Sequence, residues 1–128
     1  MAHHYGSCHC RRIRFRVEGR PEHLTLCNCS ICRRTAYLHW EVEPERVQLE
    51  SEDGDWHTYR FGTGVAEHRF CKTCGISPFR VSRSAPGRID INVRCLEDMD
   101  AESLPRSVFD GVHWEESFRA RRRREEGS

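Results

Sequence analysis

The feature that most constrains this chain is Cys27-Asn28-Cys29-Ser30-Ile31-Cys32, three thiols in six residues, followed at once by Arg33 and Arg34. A hydrophobic core has no use for that density, because side chains two and three positions apart cannot all face one apolar interior. A metal ion does. Thiolates bind Zn²⁺ tetrahedrally at about 2.3 Å, and one tight turn reaches three of the four corners. A fourth corner left to an outside ligand separates a working zinc from a structural one. Two other pairs lie far away in the chain, Cys8-His9-Cys10 and Cys71-Lys72-Thr73-Cys74-Gly75. Seven of the eight cysteines therefore fall into groups of two, three and two, and the natural count is two zinc sites, one with four thiols and one with three.

Composition narrows the rest. At 128 residues the chain makes one domain, near the size where a bound metal helps the core. The formal net charge is +1, so no global field argues for nucleic acid. The mean hydropathy of −0.78 suits a soluble protein, and no apolar run approaches the roughly 20 residues that span a bilayer. The N-terminal Met-Ala-His-His-Tyr-Gly lacks the apolar stretch of a secretory signal. The expectation is a cytoplasmic protein, where clustered cysteines mean metal or redox chemistry rather than disulfides.

Alternating or β-branched runs predict strands at 13–17, 23–26, 36–42, 47–49, 56–61, 89–93 and 108–114, while 65–70 runs into the Cys71–Cys74 knuckle and 77–81 leaves it. Glu52-Asp53-Gly54-Asp55 reads as an acidic turn, and Gly75 gives the second knuckle its backbone freedom. No long amphipathic helix pattern is present. Many short strands separated by glycine and proline turns predict an all-β domain over 1–118, followed by a charged tail over 119–128.

Gly6-Ser7-Cys8-His9-Cys10, Cys27 to Arg34 and Phe70-Cys71-Lys72-Thr73-Cys74-Gly75 stand in the order and spacing of a known family. From about Tyr5 to Trp114 the chain resembles the glutathione-dependent formaldehyde-activating enzymes, also named for a centromere protein V domain. The resemblance implies an Mss4-like, all-β zinc "tent" of small packed sheets. It also implies a structural zinc on Cys8, Cys10, Cys71 and Cys74. A second, active-site zinc falls to Cys27, Cys29 and Cys32, the residues expected to carry catalysis. The implied activity is carbon–sulfur lyase chemistry on glutathione and formaldehyde, a small-molecule thiol and aldehyde, with no nucleic-acid or membrane partner. The family places glycine after the first Cys-x-Cys where this chain has Arg11, which predicts a slightly different backbone path into the next strand.

On that reading the sulfur of glutathione takes the fourth corner of the three-cysteine zinc and its carboxylates seek Arg33 and Arg34. A non-enzymatic zinc module that binds a thiol or a partner protein is the alternative, favoured if Cys95 or a histidine completes the second site. A redox sensor built on the three thiols is a weaker third reading. The bland assignments are His9 turned away from its neighbouring thiols, Cys95 as a small apolar side chain, His68 and His113 half-buried on strands, and Trp40, Trp56 and Trp114 as packing residues.

Overall fold

The computed structural model describes residues 2–51 and 54–126, so Glu52 and Asp53 of the expected acidic turn lie outside the described residues. The strands are β1 (His3–Ser7), β2 (Arg14–Glu18), β3 (Leu24–Cys27), β4 (Leu38–Val42), β5 (Val47–Leu49), β6 (Trp56–Tyr59), β7 (Glu67–Cys71), β8 (Phe79–Val81), β9 (Ile89–Asn92) and β10 (Arg106–Phe109). The α-helices are α1 (Cys32–Thr35), a single turn, and α2 (Trp114–Glu126). A three-stranded sheet runs β1-β2-β5, and a seven-stranded sheet runs β10-β3-β4-β9-β8-β7-β6. All neighbours are antiparallel except β10, which lies parallel to β3. The domain is mostly β, as expected.

Strand alternation gives the larger sheet two unlike faces. Leu38, Trp40 and Val42 of β4, Phe79 of β8 and Ile91 of β9 are buried in one cluster with Phe15 and Val17 of β2, and together they make the core. Phe79 joins the sheets through an edge-on contact with Phe15 of the smaller sheet at 6.3 Å between ring centroids, and meets Trp56 of its own sheet edge-on at 5.4 Å. Each such side chain contributes about 1.5–3 kcal/mol by leaving water. The intervening residues, His39 and Glu41, Arg80, Asp90 and Asn92, are polar and occupy the opposite face. Register lines them up across the strands: His68 stands opposite Arg80, Arg80 opposite Asp90, and Asp90 opposite Glu41. Thr25 stands opposite His39, and His39 opposite Asn92. Directly opposed side chains are about 5 Å apart at Cβ, so these rows form contiguous polar surface.

Several local expectations need correction. Residues 3–7 form a strand that the turn-like Tyr5-Gly6-Ser7 did not suggest. The last strand ends at Phe109, and His113 is exposed in a 3₁₀ turn rather than on a strand. Residues 114–126 form a 13-residue helix, where the sequence suggested a strand end and then a charged tail. Its apolar stripe is only Trp114 and Phe118, stacked four residues apart at 4.7 Å, too narrow to register as amphipathic periodicity. No described helix is long and apolar enough to cross a membrane. Arg11 adopts φ +69°, the left-handed conformation that suits glycine. Its guanidinium lies 2.6 Å from Glu97.

Candidate active site

Two groups of cysteines converge. Cys8, Cys10, Cys71 and Cys74 place their Sγ atoms within 4.8 Å of one another, and so do Cys27, Cys29 and Cys32. In the first group the Cys8–Cys10 and Cys10–Cys71 sulfurs are each 3.6 Å apart. A zinc tetrahedron with bonds of about 2.3 Å has edges of about 3.8 Å, so this group fits the ion. Backbone N–H groups of Ile13 and Thr73 point at the Cys8 and Cys71 sulfurs from 3.4 Å, the donors that a cluster of thiolates needs. Gly75 closes the second knuckle at φ +80°. The eighth cysteine, Cys95, is partly buried and belongs to neither group. Burial and the nearby thiols of Cys8 and Cys74 push its pKa up to about 12.

The three-cysteine group is built by one strand end and one helical turn. Cys27 closes β3, and Cys32 opens α1. The N–H groups of Cys29 and Cys32 donate to the sulfurs of Cys27 and Cys29, each at 3.4 Å. Asn28 pins the turn to the segment after β10: its Nδ2 donates to Asp110 at 3.0 Å and its Oδ1 accepts from the Val112 N–H at 3.1 Å. Gly111 lies flush against the turn, where a Cβ would stand 2.7 Å from the Cys29 Cβ and closer still to the Cys27 sulfur. The protons of the three thiols compete. Hydrogen bonds from Cys27 and Cys32 hold Cys29 far below the usual thiol range, while the sulfurs of Cys27 and Cys29 drive Cys32 far above it. A divalent cation resolves that competition by letting all three ionise, so the donor set fits zinc. Among the described residues neither a histidine, a carboxylate nor Cys95 joins the three sulfurs as a fourth donor.

Behind Cys32 sits a buried charge network. His39 Nε2 is 3.3 Å from the Cys32 sulfur, and Arg80 Nη2 is 3.2 Å from it. Asp90, 1% exposed, accepts from His39 Nδ1 at 2.6 Å and from Arg80 Nε at 3.3 Å. Burial works against a charge on His39, but the Asp90 carboxylate outweighs it, and with the Cys32 sulfur lifts the pKa to about 9. Burial likewise opposes ionisation of Asp90, and the charges and hydrogen bonds of His39 and Arg80 reverse that, holding it below the usual carboxylate value. Two cations thus face the Cys32 sulfur, with one buried carboxylate fixing both. Arg80 Nη1 also donates to His68 Nδ1 at 3.0 Å, which puts the His68 proton on Nε2. Burial and the Arg80 charge lower the His68 pKa to about 4.

The group opens onto a cavity of about 540 Å³. Arg33, Arg80, Arg83 and Arg121 line it, with Glu41, His68 and Trp114. Of the two arginines after the cysteine turn, Arg33 is at the cavity, whereas Arg34 donates back to the Ser30 carbonyl at 2.7 Å and does not line it. Trp40 and Trp56 pack on the core, but Trp114 is a cavity wall. His39, Glu41, Arg80 and Asp90 were not singled out from sequence. Their signal was present as polar residues alternating with apolar ones, a pattern indistinguishable from a solvated strand face until the strands are ordered.

Comparison with known proteins agrees with this geometry. A crystal structure of a Rhodobacter sphaeroides protein matches with a TM-score of 0.72 and 30% sequence identity, covering 80% of this chain and 99% of that one. The sequence model of the glutathione-dependent formaldehyde-activating enzymes matches residues 3–110, a span that contains all three cysteine clusters and the His39–Asp90–Arg80 network. Over that span of a 128-residue sequence, the chain belongs to the glutathione-dependent formaldehyde-activating enzyme family.

Proposed function

We propose that the protein joins a small aldehyde to the sulfur of a glutathione-like thiol and catalyses the reverse cleavage, a carbon–sulfur lyase reaction. The observation that carries this reading is the three-sulfur cluster opening onto a cavity lined by four arginines. A volume of about 540 Å³ suits a tripeptide-sized ligand. Cys27, Cys29 and Cys32 would hold the zinc, which when bound supplies thiol activation by lowering the pKa of a coordinated S–H. Cys8, Cys10, Cys71 and Cys74 would hold a structural zinc.

The chain's own groups account for the rest. Arg80 and His39 steady the negative charge on Cys32, and Arg33 meets a carboxylate of the thiol through paired hydrogen bonds. The cavity walls hold sulfur and carbonyl carbon together, raising their effective concentration. In the forward direction a C–S bond forms, the carbonyl π bond opens, and the thiol proton ends on the new hydroxyl. The reverse breaks the C–S bond and returns the proton to sulfur. Thiols add to formaldehyde unaided, and a thiolate of lowered pKa is a weaker nucleophile, so binding and orientation are the expected sources of rate.

Zinc stoichiometry and exchange kinetics test the reading together. The expected result is two zinc ions per chain, with the second perturbed by glutathione. Exchange of formaldehyde with S-hydroxymethylglutathione, followed by NMR, is expected to speed up with protein and to lose that gain in Cys29→Ser. One zinc per chain with no response to any thiol would remove the basis for the proposal and favour a non-enzymatic zinc module.

A further inference from the structure

The same cavity contains one acid among its arginines. Glu41 lies on β4, two residues beyond His39 and on the same face of the sheet. The hydroxyls of Ser82 and Ser84 donate to its Oε1 at 3.2 Å and 3.1 Å. Its Oε2 has no hydrogen-bond partner, and the carboxylate has no ion pair, among the described residues. The neighbouring cation cannot supply one. The Arg80 guanidinium is committed to Asp90, His68 and Cys32, although its strand partner Asp90 stands directly opposite Glu41. A lone carboxylate on a cationic wall works against a purely anionic ligand and for one that carries a positive group at that point.

Arg83, placed between the two serines in sequence, also lines the cavity. Its guanidinium carbon stands over the Trp114 ring, 3.7 Å from the centroid, a cation–π contact that does not use up its N–H donors. Its other contact is the exposed Glu115, 3.4 Å away and weakly competing.

We propose that Glu41, Ser82, Ser84 and Arg83 form a receptor for the zwitterionic amino-acid end of the thiol substrate, with the ammonium on Glu41 and the carboxylate on Arg83. The inference rests on the reading of the cavity as a thiol site and adds the residues that set its specificity, favouring thiols with a free α-amino acid group over thiols that carry carboxylates alone. Trp114 completes this end of the cavity from α2, which lies outside the family-matched residues 3–110.

Calorimetric titration of the zinc-loaded protein with glutathione and with its desamino analogue, glutaryl-Cys-Gly, tests it. The analogue keeps the thiol and both carboxylates and loses only the ammonium. Glutathione is expected to bind about tenfold more tightly. Glu41→Gln is expected to close that gap by weakening glutathione alone, and Arg83→Gln to weaken both ligands alike. Equal affinity of the wild-type protein for the two ligands would overturn the receptor while leaving the thiol site standing. Binding of neither ligand would sink the thiol reading and the receptor with it. The wild-type comparison decides the matter even if a variant fails to fold.

Discussion

Asp90 shows how much one residue can hold in place. Its carboxylate is buried, and it stays ionised because His39 and Arg80 both donate to it. Replacement by alanine strands two buried cations and is expected to destabilise the fold by about 3–5 kcal/mol, read from chemical denaturation. Gly111 matters for space rather than torsion. Gly111→Ala pushes a methyl into Cys27 and Cys29, so it is expected to lower zinc occupancy of the three-cysteine group while the four-cysteine group stays loaded. Zinc counting before and after mild chelation reads both. His68 supplies a pH signature. With its folded pKa down near 4 and an ordinary unfolded value of about 6.5, the unfolded chain takes up the proton first as pH falls. Its contribution is therefore fully present above about pH 6.5 and is lost between there and about pH 4. Across that window the wild type is expected to lose about 2–3 kcal/mol more than His68→Gln, a difference measurable in denaturation midpoints at each pH.

At the scale of elements, the larger sheet sorts residues by alternation into an apolar core face and a polar site face. Strands of both sheets were readable for that reason, since alternation in 13–17 of the smaller sheet and 89–93 of the larger is a local property of the chain. Helix α2 was not readable. Its stability comes from ring contacts and cation–π packing, Trp114 on Phe118 and Arg83 over Trp114, rather than from a wide apolar stripe. Because Trp114 and Arg121 wall the cavity and belong to neither cysteine group, a chain ending after His113 is expected to fold and to bind both zinc ions. The same chain is expected to bind glutathione several-fold more weakly, by titration calorimetry. Retention of full affinity would show that α2 is not part of the ligand site.

For the whole molecule, the four-cysteine group brings the two sheets together, and a zinc held there would crosslink them. Cys8 and Cys10 follow β1 of the smaller sheet, whereas Cys71 ends β7 of the larger one and Cys74 follows it. Structural zinc contributes about 10 kcal/mol in small peptides, so Cys71→Ser or exhaustive chelation is expected to unfold the domain, seen as loss of its circular dichroism. Cys29→Ser is expected to leave the fold intact. The two knuckles, the cysteine turn and the all-β class were legible in the sequence, because metal-ligand spacing and strand alternation are properties of a few adjacent residues. Tertiary structure alone decided which strands lie side by side. That ordering turned polar residues on four separate strands into one row of charges behind Cys32 and one cavity wall. It also set Arg33 at the cavity and Arg34 away from it, because a single helical turn points adjacent side chains in different directions.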